Sequence, residues 1–244
     1  MSLPKINHPI FEVYLKSLNR VVKFRPFLVK EEKILLMAKE SDNLEDVTKA
    51  IKQIISNCIL EDVDVDALPT FDIEMFFINL RIQSVSETSA MVYTCNNIVS
   101  AENEELKECE AQIDFNLDLR NVKYMEDPGH TNIVKLSETA GMKFNYPTLS
   151  FSEEVLKEEF TDGGYKFVCE YLDYIYDSEE IYKKADISAE ELQEFFDNLT
   201  MEQVKLIRNF FTSSPKVVMQ QDVKCPKCSH LHHLNVEGLL NFFD

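Results

Sequence analysis

Cys225 and Cys228, in the run Cys-Pro-Lys-Cys, are the residues of this chain best placed to do chemistry, with His230, His232 and His233 close behind them. Two thiolates separated by a two-residue turn both reach one tetrahedral metal, because the turn aims both sulfurs inward. A second pair of ligands could come from either of two places. Cys95 and Cys109 sit at the two ends of a polar loop, and a hairpin there would bring them side by side. His230 and His232, which would face the same way on a strand, are the competing pair. The expected metal is a structural Zn²⁺ held by Cys225 and Cys228 and completed by Cys95 and Cys109, or else by His230 and His232.

Other candidate groups carry less. Asp62, Asp64 and Asp66 have carboxylates at spacing two but lack the glycine and closing glutamate of a calcium loop, so they read as a solvated loop. Cys58 falls on the apolar face of a helix and reads as a small core residue. His8 and His130 are lone loop histidines. Asp173, Asp177, Glu179 and Glu180 form an acidic edge with no catalytic partner. The chain has only five glycines, Gly129, Gly141, Gly163, Gly164 and Gly238. No phosphate-cradling glycine loop, dinucleotide fingerprint or nucleophile elbow can be written with them. The expectation is a protein that is not an enzyme.

The elements that must position these residues follow from the hydrophobic period. Val217, Val218 and Val223 before the Cys-Pro-Lys-Cys turn, and Leu231 and Leu234 after it, predict a hairpin. Val236, Leu239, Leu240 and Phe243 recur at helical spacing and predict a short closing helix. Residues 9–25 alternate in two runs around Ser17–Asn19 and predict a first hairpin, closed by Pro26. Helices are predicted over about 29–39, burying Ile34, Leu35 and Ala38, and from an Asn43 start with Val47, Ile51, Ile54 and Cys58 inward. Residues 69–87 form a third helix, apolar over most of its surface and therefore central. Strands follow at 91–95 and 111–119, with a polar loop between them, and two more near 132–137 and 141–147, turning at 139–141. Ser150 with Glu153 is a capping box opening a helical region that Gly163–Gly164 interrupt and that runs on to the closing hairpin. Within it, Val168, Tyr171, Leu172 and Ile175 form an amphipathic segment. Ser188 with Glu191 and Thr200 with Gln203 are further capping boxes, starting a pair of helices. That pair reads as a core αα-hairpin and not a DNA-binding one, since its second helix carries only Lys205 and Arg208 as cations.

The fold class expected is therefore α+β: an N-terminal β-hairpin with helices, a central antiparallel β segment, and C-terminal helices ending in a β-hairpin with a zinc knuckle. Three regions, 1–87, 88–150 and 151–244, are expected to pack as one unit. The net charge is −18 across 244 residues, but residues 1–41 carry eight Lys/Arg against four Asp/Glu, a net of +4, so the rest carries −22. A body of that charge repels phosphates, which argues against nucleic acid as a partner. No signal-peptide pattern opens the chain and no run of about 18 apolar residues is present, so no membrane is expected. Six cysteines in this setting read as reduced thiols or metal ligands of a cytoplasmic protein.

Three stretches carry a family resemblance: HPIFEVYLKSLNRVVKFRPFLVKEEKILLMAKES, DVDALPTFDIEMFFINLRIQSVSE and the closing VEGLLNFF. Together they resemble the baseplate hub assembly proteins of contractile-tailed, T-even-type bacteriophages, with RPFLVKEEKILLMAKES the most specific block. The resemblance implies a helper or minor component of the baseplate hub, a hub subunit or assembly chaperone that binds hub or tape-measure proteins, in the host cytoplasm or in the virion tail. It implies no transferable catalytic residues. The rival reading is a zinc-ribbon accessory of transcription or replication, which would need a basic nucleic-acid face.

The partner surface expected is the first hairpin, which presents Lys16, Arg20, Lys23 and Arg25 to an acidic partner or to the acidic body of a second copy. Reversing Lys23 and Arg25 to Glu is then expected to slow partner capture at low salt and leave stability unchanged.

Overall fold

Alternation in the first hairpin gives β1 (Phe11–Leu15) and β2 (Arg20–Phe24), paired antiparallel with Phe11 opposite Phe24 and Leu15 opposite Arg20. A computed structural model describes residues 6–40, 43–100, 106–149 and 162–238. Val13, Leu15, Val22 and Phe24 are buried on one side of this ribbon, and Tyr14 and Val21 face outward. Asn19 takes the left-handed φ of 48° that the turn needs, a conformation Asn tolerates better than most residues.

Three helices follow: α1 (Val29–Glu40), α2 (Leu44–Cys58) and α3 (Thr70–Ser84). Asn43 caps α2 by accepting from the Glu45 N–H. Ile51, Ile54 and Cys58 are buried along its inner face, as their spacing requires. α1 buries Ala38 but exposes Leu36 and Met37, so apolar residues lie on both of its sides. α3 is the central element: Phe71, Ile73, Met75, Phe76, Phe77, Ile78 and Leu80 are all buried, which covers every side of the helix. Asp72, in the first turn of that helix, is buried as well.

β3 (Thr88–Thr94) and β6 (Gln112–Asp118) pair antiparallel, with Thr94 opposite Gln112. The expected polar loop between them is instead partly ordered as a second small hairpin, β4 (Ile98–Ser100) with β5 (Leu106–Glu108). A 3₁₀ turn at Leu119–Asn121 leads to β7 (Lys123–Met125), a strand too short for its alternation to register in the sequence. β7 pairs with β12 (Lys216–Lys224), which pairs in turn with β13 (Leu231–Glu237), giving the sheet order β13-β12-β7. These elements form the first of two compact units, built from residues up to Met125 and from Lys216 onward. Val236, expected in a closing helix, lies in β13 opposite Met219. Leu239, Leu240 and Phe243 of that expected helix lie outside the described residues.

The second unit is Glu126–Pro215. Its sheet has the order β11-β10-β9-β8, from β8 (Ile133–Lys135), β9 (Gly141–Phe144), β10 (Leu172–Tyr176) and β11 (Ile181–Lys183). Helices α4 (Asp162–Tyr171), α5 (Ala189–Asp197) and α6 (Met201–Thr212) belong to it. Met142, Phe144, Leu172, Ile207, Phe210 and Phe211 lead its core. The continuous helical region expected after residue 150 is therefore corrected. Leu172 and Ile175 fit a helical period with Val168 and Tyr171, but Leu172–Tyr176 pairs with β9 and is a strand. An aromatic, β-branched run of this kind suits a half-buried pleated surface. Gly163 and Gly164 lie in the first turn of α4, and the stretch before them lies outside the described residues. The Ser150–Glu153 cap lies outside the described residues. Both later capping boxes form, at Ser188–Glu191 and Thr200–Gln203.

Gly141 is required by close approach. A Cβ there would lie 2.6 Å from the Val134 carbonyl oxygen and 2.5 Å from the Tyr176 hydroxyl. The fold is thus mixed helix and antiparallel strand, as the period changes indicate.

Candidate metal centre

Two separate turns build the centre, both in the first unit. β12 and β13 pair as far as Lys224 opposite Leu231, and the six residues between carry the Cys-Pro-Lys-Cys turn. Pro226 suits the first corner of such a turn. The turn is held by the Cys225 N–H donating to the His230 carbonyl at 2.8 Å and the Ser229 N–H donating to the Cys225 carbonyl at 3.0 Å. Ser229 takes a left-handed φ of 61° to close it. On the other side, Cys95 follows β3 and Cys109 follows β5. The Cys95 N–H donates to the Ala111 carbonyl, the Glu110 N–H to the Cys95 carbonyl, and the Cys109 N–H to the Asn97 carbonyl, each at 2.9 Å.

These turns bring four sulfurs together across more than a hundred residues of sequence. Cys95 Sγ lies 3.7 Å from Cys228 Sγ, and Cys109 Sγ lies 3.8 Å from Cys225 Sγ. All four sulfurs fall within 4.8 Å of one another. A tetrahedral ion with metal–sulfur bonds of about 2.3 Å has sulfur–sulfur edges of about 3.8 Å, so the quartet has the right size to hold a metal. Cys95, Cys109 and Cys225 are buried and Cys228 is half-buried, among Ile113, Val223, Tyr93, Val99, Phe115 and Leu234.

The thiols differ in acidity. Burial pushes Cys95 up to about 12, whereas the backbone N–H of His230 draws Cys228 down to about 6. The Asn97 side-chain amide adds a second donor to the Cys228 sulfur at 3.6 Å. Lys227 Nζ donates to the Cys109 carbonyl at 3.1 Å. Asn97 carried no motif, and only its place two residues after Cys95 could have flagged it.

The histidines separate clearly. His232 is 6% exposed, and its Nε2 lies 3.1 Å from Cys95 Sγ. His230 is exposed, with its ring 4.6 Å from that of His232, and the exposed His233 pairs with Asp222. His130 is built into the second unit, with Nδ1 3.0 Å from Ser213 Oγ and its ring stacked on Phe210. His8 is exposed. Burial pushes the Cys58 thiol up to about 11, in keeping with a core residue.

The four hairpin cations do not form a single exposed edge. Lys23 is exposed, and Arg20 pairs with Glu61. The Lys16 N–H donates to Asp72 Oδ1 at 2.9 Å. Arg25 turns inward. Its guanidinium donates to Glu31 Oε1 at 3.0 Å, to the Asn57 carbonyl at 2.8 Å and to the Pro26 carbonyl at 2.9 Å. Glu31 is fully buried, so reversing Arg25 would place two carboxylates in one buried site. The expected neutrality of that change toward stability does not fit these contacts: Arg25 is half-buried and its guanidinium holds a buried carboxylate.

Along its length, at residues 8–244, the chain matches the family described as T4 bacteriophage base plate protein. The chain belongs to that family. No curated protein and no solved structure matches it. In this baseplate protein, among the described residues, no helix is long and apolar enough to cross a membrane. The thiol quartet is the one cluster of three or more metal-ligating side chains found among those residues.

Proposed function

We propose that this chain is an assembly factor or minor component of the phage baseplate hub, acting by protein–protein binding in a chaperone-like way while the tail is built. Family membership over residues 8–244 carries this reading. The partners it implies are hub or tape-measure proteins, met in the host cytoplasm, with retention in the finished baseplate and self-association as further expectations. No chemical turnover is part of the proposal.

The thiol quartet suits a supporting role. Four protein sulfurs would fill every position of a tetrahedral ion, whereas a catalytic zinc keeps one position for water or substrate. We assign Zn²⁺ to Cys95, Cys109, Cys225 and Cys228, as a staple joining the closing hairpin to the turn that carries Cys95 and Cys109. A partner surface on the first hairpin draws on Lys16, Arg20 and Lys23, with Arg25 fixing the hairpin from inside.

Affinity purification of the tagged chain from infected cells during tail assembly tests the reading. Hub or tape-measure proteins in the eluate are expected. Recovery with polymerase or replication proteins instead would transfer the assignment to a zinc-ribbon accessory. Elemental analysis of chain purified without chelators is expected to find one zinc per chain, and a chain devoid of metal overturns the staple.

A further inference from the structure

β13 follows the alternation of a half-buried strand, and its inward position nearest the turn is occupied by a histidine where an apolar residue would be ordinary. His232 pairs with Val223 across the ladder and is 6% exposed. Its Nε2 points at Cys95 Sγ, 3.1 Å away, and the edge of its ring meets that of Tyr93 at a centroid distance of 5.0 Å. The Tyr93 hydroxyl in turn donates to Asn96 Oδ1 at 3.1 Å, beside Cys95. The imidazole is thus set in place by packing and aimed at one sulfur. It lies outside the quartet of mutually close ligand atoms.

We propose that His232 is a positioning residue of the thiol centre: its Nε2–H donates to the Cys95 thiolate, orients that sulfur toward the metal and slows release of the ion. The inference rests on the assignment of zinc to the four cysteines. A metal-bound Cys95 has lost its proton, so the contact can then be held only by an N–H of the ring. A divalent ion with four thiolates carries a net charge of −2, and hydrogen bonds from fixed donors offset that charge in a dry site. His232 and the Asn97 backbone N–H serve Cys95, while the Asn97 side-chain amide and the His230 backbone N–H serve Cys228. No donor of this kind reaches Cys109 or Cys225 among the described contacts, so each donor removed acts on one particular half of the centre.

The test uses the full-length chain as wild type, His232→Phe, which keeps the ring against Tyr93 and loses the N–H, and His232→Gln, which restores an N–H donor. Zinc release to a competing chelator and the sulfur-to-cobalt charge-transfer bands of the Co²⁺-loaded protein are measured together. Loss of the N–H is expected to speed zinc release about 10–100-fold, the usual scale for an outer-shell partner. It should also shift the charge-transfer bands, with His232→Gln within a few-fold of wild type. His232→Phe with wild-type release and bands overturns the proposal, as does His232→Gln behaving like His232→Phe. A wild-type cobalt spectrum of three thiolates and one imidazole overturns it too, by making His232 a ligand. Should His232→Phe not fold, the wild-type spectrum and the Gln variant still decide. A wild-type chain that takes up no metal overturns the zinc assignment along with this inference, whereas normal uptake with unchanged variants overturns this inference alone.

Discussion

Replacing Asp72 with alanine should be the most damaging single polar change in the first unit. Asp72 is fully buried in the first turn of α3, yet its carboxylate touches two other elements. It accepts from the Lys16 N–H and the Ser17 N–H of the first hairpin, each at 2.9 Å, and from the Tyr124 hydroxyl of β7 at 2.7 Å. Hydrogen bonds to a charged group contribute about 1.5–3 kcal/mol each, and an orphaned buried donor costs about 1–3 kcal/mol. Ser17 is exposed, so water can replace its share. The remaining two bonds set an expected loss of about 3–6 kcal/mol for Asp72→Ala, a large fraction of the roughly 5–15 kcal/mol of an ordinary domain. Tyr124→Phe removes one donor and leaves the carboxylate two partners, for an expected loss of about 1.5–3 kcal/mol. In the double variant the Tyr124 change should add less than it does alone, because its bond to Asp72 has already gone and the longer one to the Tyr14 carbonyl, at 3.2 Å, is what is left to lose. Urea unfolding of the full chain measures all three, with a fall in midpoint of about 1.5–3 M expected for Asp72→Ala at a slope of about 2 kcal/mol per M. A loss below about 1 kcal/mol for Asp72→Ala, or full additivity with Tyr124→Phe, would refute the view that this carboxylate ties hairpin, helix and strand together.

Acid should find Glu31 next. Burial pushes its pKa up, but hydrogen bonds from Arg25 and the Leu28 N–H, with the charge of Arg25, outweigh it and hold it below the ordinary 4.5. A depressed carboxyl contributes stability that is present above its unfolded value and lost as pH falls through the folded one. Wild-type stability should therefore drop below pH 4.5, and Glu31→Gln should be less stable at neutral pH with a flatter acid limb in urea titrations. Gly141→Ala should cost at least the 1–3 kcal/mol typical of overpacking, read by thermal melting, because the Val134 carbonyl 2.6 Å away is backbone and cannot step aside. Excising residues 126–215 and joining Met125 to Lys216 through Asn-Gly should leave a folded, metal-binding first unit, because those two residues are already antiparallel partners. Loss of metal uptake in that excised protein would show that the second unit is needed to form the first.

Local signals were the legible ones. The Cys-Pro-Lys-Cys turn, the first hairpin, the Asn43 cap and both later capping boxes depend on residues within a few positions, and each formed where spacing placed it. Cys95 and Cys109 were found because a hairpin would close their loop, although β4 and β5 inside it were not seen. Three-residue strands such as β7 and β11 contain too few residues to show a period, and the partner of β7 lies some ninety residues further on. β10 misled because four apolar residues fit both a helical and a pleated spacing, and only pairing with β9 decides. Asp72 passed unnoticed inside an apolar helix, since one acidic residue in a first turn is ordinary. Its donors come from residues 16, 17 and 124, which no local window connects.

The pairing of Met125 with Lys216 sets an order of events at the ribosome. β7 is synthesised 90 residues before the strand it pairs with, since Glu126–Pro215 intervenes. At about 5–20 residues per second, that interval lasts roughly 5–20 s. Throughout it the nascent chain holds one strand of a three-stranded sheet and one half of a thiol quartet, Cys95 and Cys109, with no Cys225 or Cys228 yet made. A metal ion met early would find only two sulfurs and be free to leave. The second unit has time to fold before the first can close, and the last hairpin to emerge completes the ladder and the thiol quartet together.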